Sequence, residues 1–183
     1  MQVLDELAAL VDRLVLDSPE PLADWRAAAP LVGVTSITDL RWTRLTRWRN
    51  LIAQFFDVPG LRAAAADFSR LAITAADEQG ARLFATWLKK RLPTRTPIDV
   101  QIAPGEHFLT QVSLSGPSHR LELQLTAAGT CVRASAEVGG HAVPSRTVPL
   151  GNQSLVALVE EEMRIRARDT TFEDALRSVA EAE

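Results

Sequence analysis

Residues 121–138 read LELQLTAAGTCVRASAEV, and this stretch decides the fold class. In residues 121–125 and again in residues 132–138, apolar side chains alternate with polar ones. Strict alternation predicts half-buried strands, and Ala128-Gly129-Thr130 between them has the chemistry of a turn. We therefore expect two antiparallel strands with one apolar face and one polar face.

The same alternation continues on both sides of this pair. Residues 98–102 and 108–114 carry it upstream. A weaker run follows at residues 143–148, where Pro144 suits an edge strand. The five runs predict an antiparallel meander of about five strands. Its polar face, which we expect to remain free of helices, carries Asp99, Gln101, Gln111, Ser113, Glu122, Gln124, Arg133, Ser135 and Glu137.

Apolar residues at helical spacing lie on either side of the meander. Residues 71–73 predict a further short strand, and residues 77–92 predict a helix that the proline-containing residues 93–97 end. Two C-terminal helices, near residues 154–166 and 171–182, are expected to cover the apolar face of the sheet.

The N-terminal part is predicted to be mainly helical. Residues 3–16 have helical spacing, although residues 14–16 could instead form a short buried strand, with the helix then ending near Asp12. Pro21 is well placed as the first residue of a short helix. Capping side chains in residues 35–39 precede a longer helix.

These patterns together predict an α+β fold. Residues 1–66 form an N-terminal helical segment, and residues 67–183 form an α+β domain. In that domain the meander of about five strands is covered on one face by helices. At 183 residues and 46% apolar content, the chain is long enough to bury a core of its own.

Composition narrows the classes of function. A net charge of −3 argues against a dedicated nucleic-acid-binding protein. No apolar run approaches the roughly 18 residues that a membrane span needs. Cys131 is the single cysteine of the sequence, which excludes an internal disulfide and favours a reducing compartment. We therefore expect a cytoplasmic protein with neither a nucleic-acid nor a membrane partner.

The usual catalytic motifs are missing from the sequence. It has no glycine-rich phosphate loop, no dinucleotide fingerprint, no zinc-protease motif and no nucleophile elbow. His107, His119 and His141 lie in separate connections without metal-ligand spacing. Residues 160–162 are three glutamates that point in different directions on a helix and suit a solvated face. No histidine or second cysteine is tied to Cys131. We therefore expect no catalytic residue, metal or cofactor, and predict that the chain is not an enzyme.

Residues 39–50 read DLRWTRLTRWRN, an unusual concentration of arginine and tryptophan in an acidic protein. On a single helix that ends near Asp57, Leu45, Trp48 and Ile52 form the buried side. Guanidinium groups beside indoles suit protein interfaces, anionic ligands and stacked bases alike. The candidates for partner binding are Arg41, Trp42, Arg44, Arg47 and Arg49.

Two interpretations of these arginines remain open. In the plainer one, the helix is amphipathic and its arginines lie in water or pair with local acids. In the other, Arg44 and Arg47 reach carboxylates of a partner. We expect a mixed result, with Arg47 structural and Arg44 nearer the surface.

Residues 39–57, DLRWTRLTRWRNLIAQFFD, closely resemble the signature of the glucose-6-phosphate dehydrogenase assembly protein family, OpcA. Residues 83–92 are similar to a helix of that family, and residues 154–176 are similar to its C-terminal helical pair. Family members usually carry an α/β half before this region. Residues 1–18 resemble only the last helix and strand of that half.

The resemblance implies a non-enzymatic protein whose partner is glucose-6-phosphate dehydrogenase. Such a protein would bind the enzyme, favour its active oligomer and raise its activity at the entry to the oxidative pentose phosphate pathway. The alternative is a regulatory domain that binds an anionic sugar phosphate or a nucleotide. In that alternative, Arg41, Arg44 and Arg47 would form an anion clamp.

Overall fold

The computed structural model describes residues 2–93, 98–165 and 167–181. Its helices are Gln2–Ala8 (α1), Pro21–Ala28 (α2), Leu40–Arg44 (α3), Thr46–Phe56 (α4), Pro59–Ala64 (α5), Glu78–Arg91 (α6), Leu155–Arg164 (α7) and Thr170–Glu181 (α8). Its strands are Arg13–Leu16 (β1), Ser36–Asp39 (β2), Arg70–Ala75 (β3), Asp99–Pro104 (β4), Gln111–Ser115 (β5), His119–Leu125 (β6), Cys131–Val138 (β7) and His141–Pro149 (β8). The predicted α+β class is confirmed.

Over the residues described, none of these helices is long and apolar enough to cross a membrane.

Three parts of the predicted elements lie outside the described residues. They are residues 94–97 of the predicted helix break and residues 166 and 182 at the ends of the two predicted C-terminal helices.

The chain divides into two compact units. The first comprises Met1–Arg44, Arg82–Trp87 and Asn152–Glu183, and the second comprises Leu45–Ala81 and Leu88–Gly151. This division differs from the predicted boundary after residue 66. The difference arises because the last two helices pack with N-terminal elements, so that both ends of the chain belong to one unit.

The first unit contains a two-stranded parallel sheet. Strand β1 pairs with β2 in register, from Arg13 opposite Ser36 to Leu16 opposite Asp39. The predicted strand at residues 14–16 is thus confirmed, although the preceding helix ends at Ala8 instead of near Asp12 and Val15 is exposed. Strand β2, whose residues are predicted to cap a helix, is instead a fully buried strand. Strand pairing and burial outweigh the local capping preference of its polar side chains here.

Helix packing completes the first unit. Helix α8 lies against α2 and β2, and α7 lies against α3. Pro21 is the first residue of α2, as predicted. The two C-terminal helices, which are predicted to cover the large sheet, therefore belong to the first unit instead.

The second unit is built on a six-stranded sheet in the order β4-β3-β5-β6-β7-β8. The predicted meander is confirmed from β5 to β8, where all pairs are antiparallel. The expected pairing of β4 with β5 is wrong, because β3 lies between them and pairs in parallel with β4. Helix α6 connects β3 to β4, and two strands joined by such a helix pair in parallel. Strand β4 lies beside β3 at the edge of the sheet.

The two faces of this sheet differ as the alternation predicts. On one face Leu123 lies opposite Ala134 and both are buried, whereas the next pair along, Gln124 and Arg133, is exposed. All nine residues of the predicted polar face are described, and none of them is buried. Helices α4 and α5 lie against β7, so this unit covers its sheet with helices that precede the strands in sequence.

Candidate partner-binding site

The arginine- and tryptophan-rich segment is two helices rather than one. Helix α3 ends at Arg44, and α4 begins at Thr46. Leu45 stands between them with φ −80° and ψ −9°. The predicted buried side is confirmed, since Leu45, Trp48 and Ile52 are all at most 1% exposed. The predicted single helix is therefore wrong, because Arg44 and Arg47 lie on different helices.

Asp39 is a buried carboxylate at the start of α3. Its Oδ1 accepts a hydrogen bond of 2.7 Å from the backbone N–H of Arg41, and its Oδ2 accepts one of 2.8 Å from Nε1 of Trp25. Burial raises the pKa of Asp39, although these two hydrogen bonds and the positive charge of Arg41 act to lower it. A guanidinium nitrogen of Arg41 lies 3.9 Å from Oδ1. Arg41 therefore faces a carboxylate of its own chain.

Trp42, a predicted partner-binding residue, is a core residue. Its side chain is buried, and its Nε1 donates a 2.7 Å hydrogen bond to Oδ2 of Asp169. The ring lies edge-to-face against Trp87 at 6.2 Å and beside Phe172 at 5.7 Å. Asp169 also accepts the backbone N–H of Phe172 through Oδ1, at 2.9 Å. Trp42 thus has no surface to offer a partner, because its ring and its polar atom are both engaged within the first unit.

Glu162 extends this buried polar network. It accepts a 2.7 Å hydrogen bond from the hydroxyl of Thr43 and lies 3.4 Å from a guanidinium nitrogen of Arg13. The glutamate run is predicted to be a solvated face, but Glu162 is only 4% exposed. The sequence contained a signal for this burial. Glu162 follows the buried Leu158 by four positions, which places both on one side of α7.

Arg44 and Arg47 reverse the expected roles. Arg44 forms an ion pair of 3.6 Å with Asp17, and its side chain is 21% exposed. Arg47 is exposed and has no ion-pair or hydrogen-bond partner among the described residues. Asp17 follows β1, which pairs with the strand leading into α3. The pairing of β1 with β2 therefore brings an acid to Arg44, and a linear sequence does not display that proximity.

Arg49 occupies an intermediate position. Its side chain is half-buried, and Nη2 donates a 3.2 Å hydrogen bond to the hydroxyl of Thr46. The structure thus leaves Arg47 as the most accessible of the five predicted residues.

Arg47 lines a groove of about 410 Å³ in the second unit. One wall is a single side of α4, and the other is the end of β8 with the residues after it. The lining residues are Arg47, Asn50, Leu51, Gln54, Val148, Pro149 and Gly151. No acidic side chain is among them, so the positive charge of Arg47 is not balanced within the groove.

A second concavity, of about 500 Å³, lies on the polar face of the sheet. It contains both Arg120 and Glu122, which form an ion pair of 3.1 Å. The arginine of this concavity is therefore paired with an acid, and Glu137 adds a further negative charge to the lining, in contrast to the unbalanced positive charge of the first groove.

Metal ligands do not converge in the part of the chain that the structure describes. No group of three or more histidine, cysteine, aspartate or glutamate side chains there could hold a metal ion. His119 accepts the backbone N–H of Gly139, and His141 lies 3.0 Å from the carbonyl of the same glycine. These two histidines thus both contact Gly139, which lies in the turn between β7 and β8.

Comparison with protein families gives a match over residues 35–176. The matching family is the C-terminal domain of the glucose-6-phosphate dehydrogenase subunit. The chain belongs to this family. The matched range includes α3, α4, the buried carboxylates Asp39 and Glu162, and the partly buried Asp169, and it begins after Asp17.

Three relatives carry the name OxPP cycle protein OpcA. The Nostoc punctiforme protein is 30% identical over 148 residues, which cover 76% of this chain and 31% of the relative. The Synechocystis protein is 29% identical over 61% of this chain and 23% of its own length. The Synechococcus elongatus protein is 25% identical over 98% of this chain and 50% of its own length. The chain thus spans at most half the length of the relatives it matches.

Two solved structures of KijD10, a 3-ketoreductase from Actinomadura kijaniata, share the fold. One has a TM-score of 0.55 at 15% identity, covering 94% of this chain and 76% of the reductase. The other has a TM-score of 0.51 at 11% identity, covering 96% and 78%. At such low identity the likeness concerns the fold alone.

Proposed function

We propose that this chain is a non-catalytic assembly and activation factor for glucose-6-phosphate dehydrogenase, acting in the cytoplasm. The observation that carries the proposal is the family match, which extends over residues 35–176 and so over most of both units. The names of the relatives refer to the OxPP cycle, which supports the proposal.

The physical mechanism is a shift of population. A protein that binds the assembled enzyme more tightly than its separated subunits stabilises the assembly by the difference between the two binding free energies. A 100-fold difference in affinity, or about 2.7 kcal/mol, raises an oligomer from about 10% to about 90% of the population. No chemistry by the chain itself is required.

The alternative, an anion clamp made by Arg41, Arg44 and Arg47, has less support. Arg41 faces Asp39, and Arg44 pairs with Asp17. An incoming phosphate would have to compete with carboxylates that these guanidinium groups already face. The clamp would thus lose two of its three cations to the protein's own acids.

The test is to mix the chain with dehydrogenase from the same organism and to measure mass and activity together. Light scattering after size exclusion should show a complex, and dehydrogenase activity at a concentration where the enzyme dissociates should rise with added chain. An absence of association at micromolar concentrations would contradict the proposal.

A parallel thermal melt addresses the alternative. The chain alone is heated with glucose 6-phosphate or with a nucleotide, because a ligand that binds the native state raises its melting temperature. Stabilisation in the absence of the dehydrogenase, without any association in its presence, would favour the sensing domain.

A further inference from the structure

We infer that the groove between α4 and the end of β8 binds an extended, carboxylate-bearing segment of the partner protein, with Arg47 as the main cation that recognises it. The inference rests on the proposed function, in which that partner is glucose-6-phosphate dehydrogenase. It adds the surface and the chemical class of the segment bound.

One side of α4 forms the first wall. Arg47, Asn50, Leu51 and Gln54 follow one another at intervals of three, one and three residues, which places them along a single helix side. Leu51 is buried and forms an apolar floor, whereas the three polar side chains are exposed. A wall of this kind offers hydrogen-bond donors above an apolar base, as peptide-binding surfaces do.

The positive charge of Arg47 determines which chemical group the groove prefers to bind. Elsewhere in the described chain, many arginines have an acid of the same chain within ion-pair distance: Arg13, Arg44, Arg62, Arg120, Arg168 and Arg177. Arg47 has no such acid among the described residues. An unbalanced guanidinium above an apolar floor favours a carboxylate, which it can bind through two parallel hydrogen bonds.

Arg146 supplies a second cation close to the far end of this helix side. Its Nη1 donates a 3.3 Å hydrogen bond to Oε1 of Gln54, a groove residue, and its guanidinium lies 5.9 Å from the ring centroid of Phe55. No ion pair to an acid is seen for Arg146 among the described residues. The hydrogen bond and the ring hold it in place, so little side-chain entropy is lost when an acid binds.

The spacing of the two cations favours an extended segment. Arg47 and Gln54 are seven residues apart on α4, or about 10.5 Å along the helix axis. An extended chain advances about 3.3 Å per residue, so acidic side chains two to four residues apart could reach both ends of the groove.

A small phosphorylated ligand fits the groove less well. Pockets for such ligands bury roughly 70–90% of the ligand surface. Here most of the lining is exposed, and Leu51 is the buried exception. The groove is therefore suited to one side of a polypeptide, whose remaining surface stays in contact with the rest of the partner.

The experiment compares the affinity of the dehydrogenase for four proteins: wild type, Arg47→Glu, Arg146→Glu and Arg133→Glu. Arg133 is the matched control, because it is also exposed and has no acid partner among the described residues, but it belongs to the polar face of the sheet. Thermal melts establish that each variant is folded.

We expect Arg47→Glu to weaken binding by about tenfold or more, as loss and reversal of a charge-assisted contact imply. Arg146→Glu should weaken it less, and Arg133→Glu should change it by less than about threefold. The weakening by Arg47→Glu should shrink at high salt.

The outcomes separate the inference from the function on which it rests. A wild-type chain that does not bind the dehydrogenase overturns both. A wild-type chain that binds, with Arg47→Glu binding equally well or with only Arg133→Glu weakened, overturns the groove and leaves the proposed function intact. If Arg47→Glu binds the enzyme normally but loses stabilisation by glucose 6-phosphate, the groove is a small-ligand site and the inference is wrong.

Discussion

Helices α3 and α4 follow each other in sequence and have similar composition, yet their basic and aromatic residues serve different purposes. In α3, Arg41 faces Asp39 and Trp42 donates to Asp169, while the adjoining Arg44 pairs with Asp17. In α4, Arg47 has no acid among the described residues and lies in an open groove. The comparison shows that the role of an arginine depends on whether the fold brings an acid to it.

The largest effects are expected at the two tryptophans. Trp42→Ala and Trp48→Ala should each lower the free energy of unfolding by about 3–5 kcal/mol, because both rings are 1% exposed and their loss leaves a cavity. Urea unfolding followed by circular dichroism measures this cost without relying on tryptophan fluorescence.

Phenylalanine substitutions test whether the tryptophans of α3 and α4 contribute to stability in different ways. Trp42→Phe removes the donor to Asp169 and should cost about 1–3 kcal/mol beyond the lost ring area. Trp48 has no indole hydrogen bond among the described residues, so Trp48→Phe should cost less. Equal costs for the two phenylalanine variants would contradict the view that α3 is tied into a polar network and α4 is not.

The next largest effect is expected at Asp39. Both of its oxygens accept hydrogen bonds, whereas an asparagine in its place has only one acceptor oxygen and would turn its amide toward a donor. Asp39→Asn should therefore cost about 1–3 kcal/mol.

This cost should depend on pH. The pKa of Asp39 in the folded state lies above the ordinary value of 3.8, so the folded protein binds this proton more tightly than the unfolded chain. The stability that the carboxyl contributes is then full below the ordinary pKa and declines as pH rises through the raised pKa. The stability difference between wild type and Asp39→Asn should thus shrink as pH rises above 3.8. A difference that grows with pH would show that the pKa is lowered instead.

The smallest effects on stability are expected at the two arginines on either side of Leu45. Arg44→Ala removes a partly exposed ion pair and should cost between about 0 and 1 kcal/mol, less at high salt. Arg47→Ala should change stability by less than about 0.5 kcal/mol, since its side chain is exposed and unpaired in the described structure. Thermal melts at low and high salt check both values. If Arg47→Ala lowered the free energy of unfolding more than Arg44→Ala, Arg47 would be the structural residue, as expected from the sequence.

Much of the fold was accessible from local pattern. Residues 121–138 alternate cleanly, and the structure places Leu123 inside and Gln124 outside as that alternation requires. Family membership was also accessible, because residues 39–57 keep a recognisable order of residue types. The position of β4 was not, since alternation identifies a strand and its faces but does not identify its neighbour.

The candidate site divides in the same way. Burial of Leu45, Trp48 and Ile52 followed from helical spacing, which is a local property. The surroundings of Trp42 and Arg44 did not follow from spacing, because their partners lie elsewhere in the sequence. Arg44 pairs with Asp17, and Trp42 donates a hydrogen bond to Asp169, 127 positions away. The neighbouring Thr43 donates one to Glu162, 119 positions away.

Sequence by itself thus determined most of the strands and helices, the two faces of the large sheet, and the family to which the chain belongs. It could do so because periodicity and the order of residue types are local properties that can be read directly from the sequence. Only the tertiary structure decided which arginines are paired and which remains open to a partner. The acids that contact α3 come from strand β2, from the turn after β1 and from the C-terminal helical region. They lie close to α3 only when the first unit is folded.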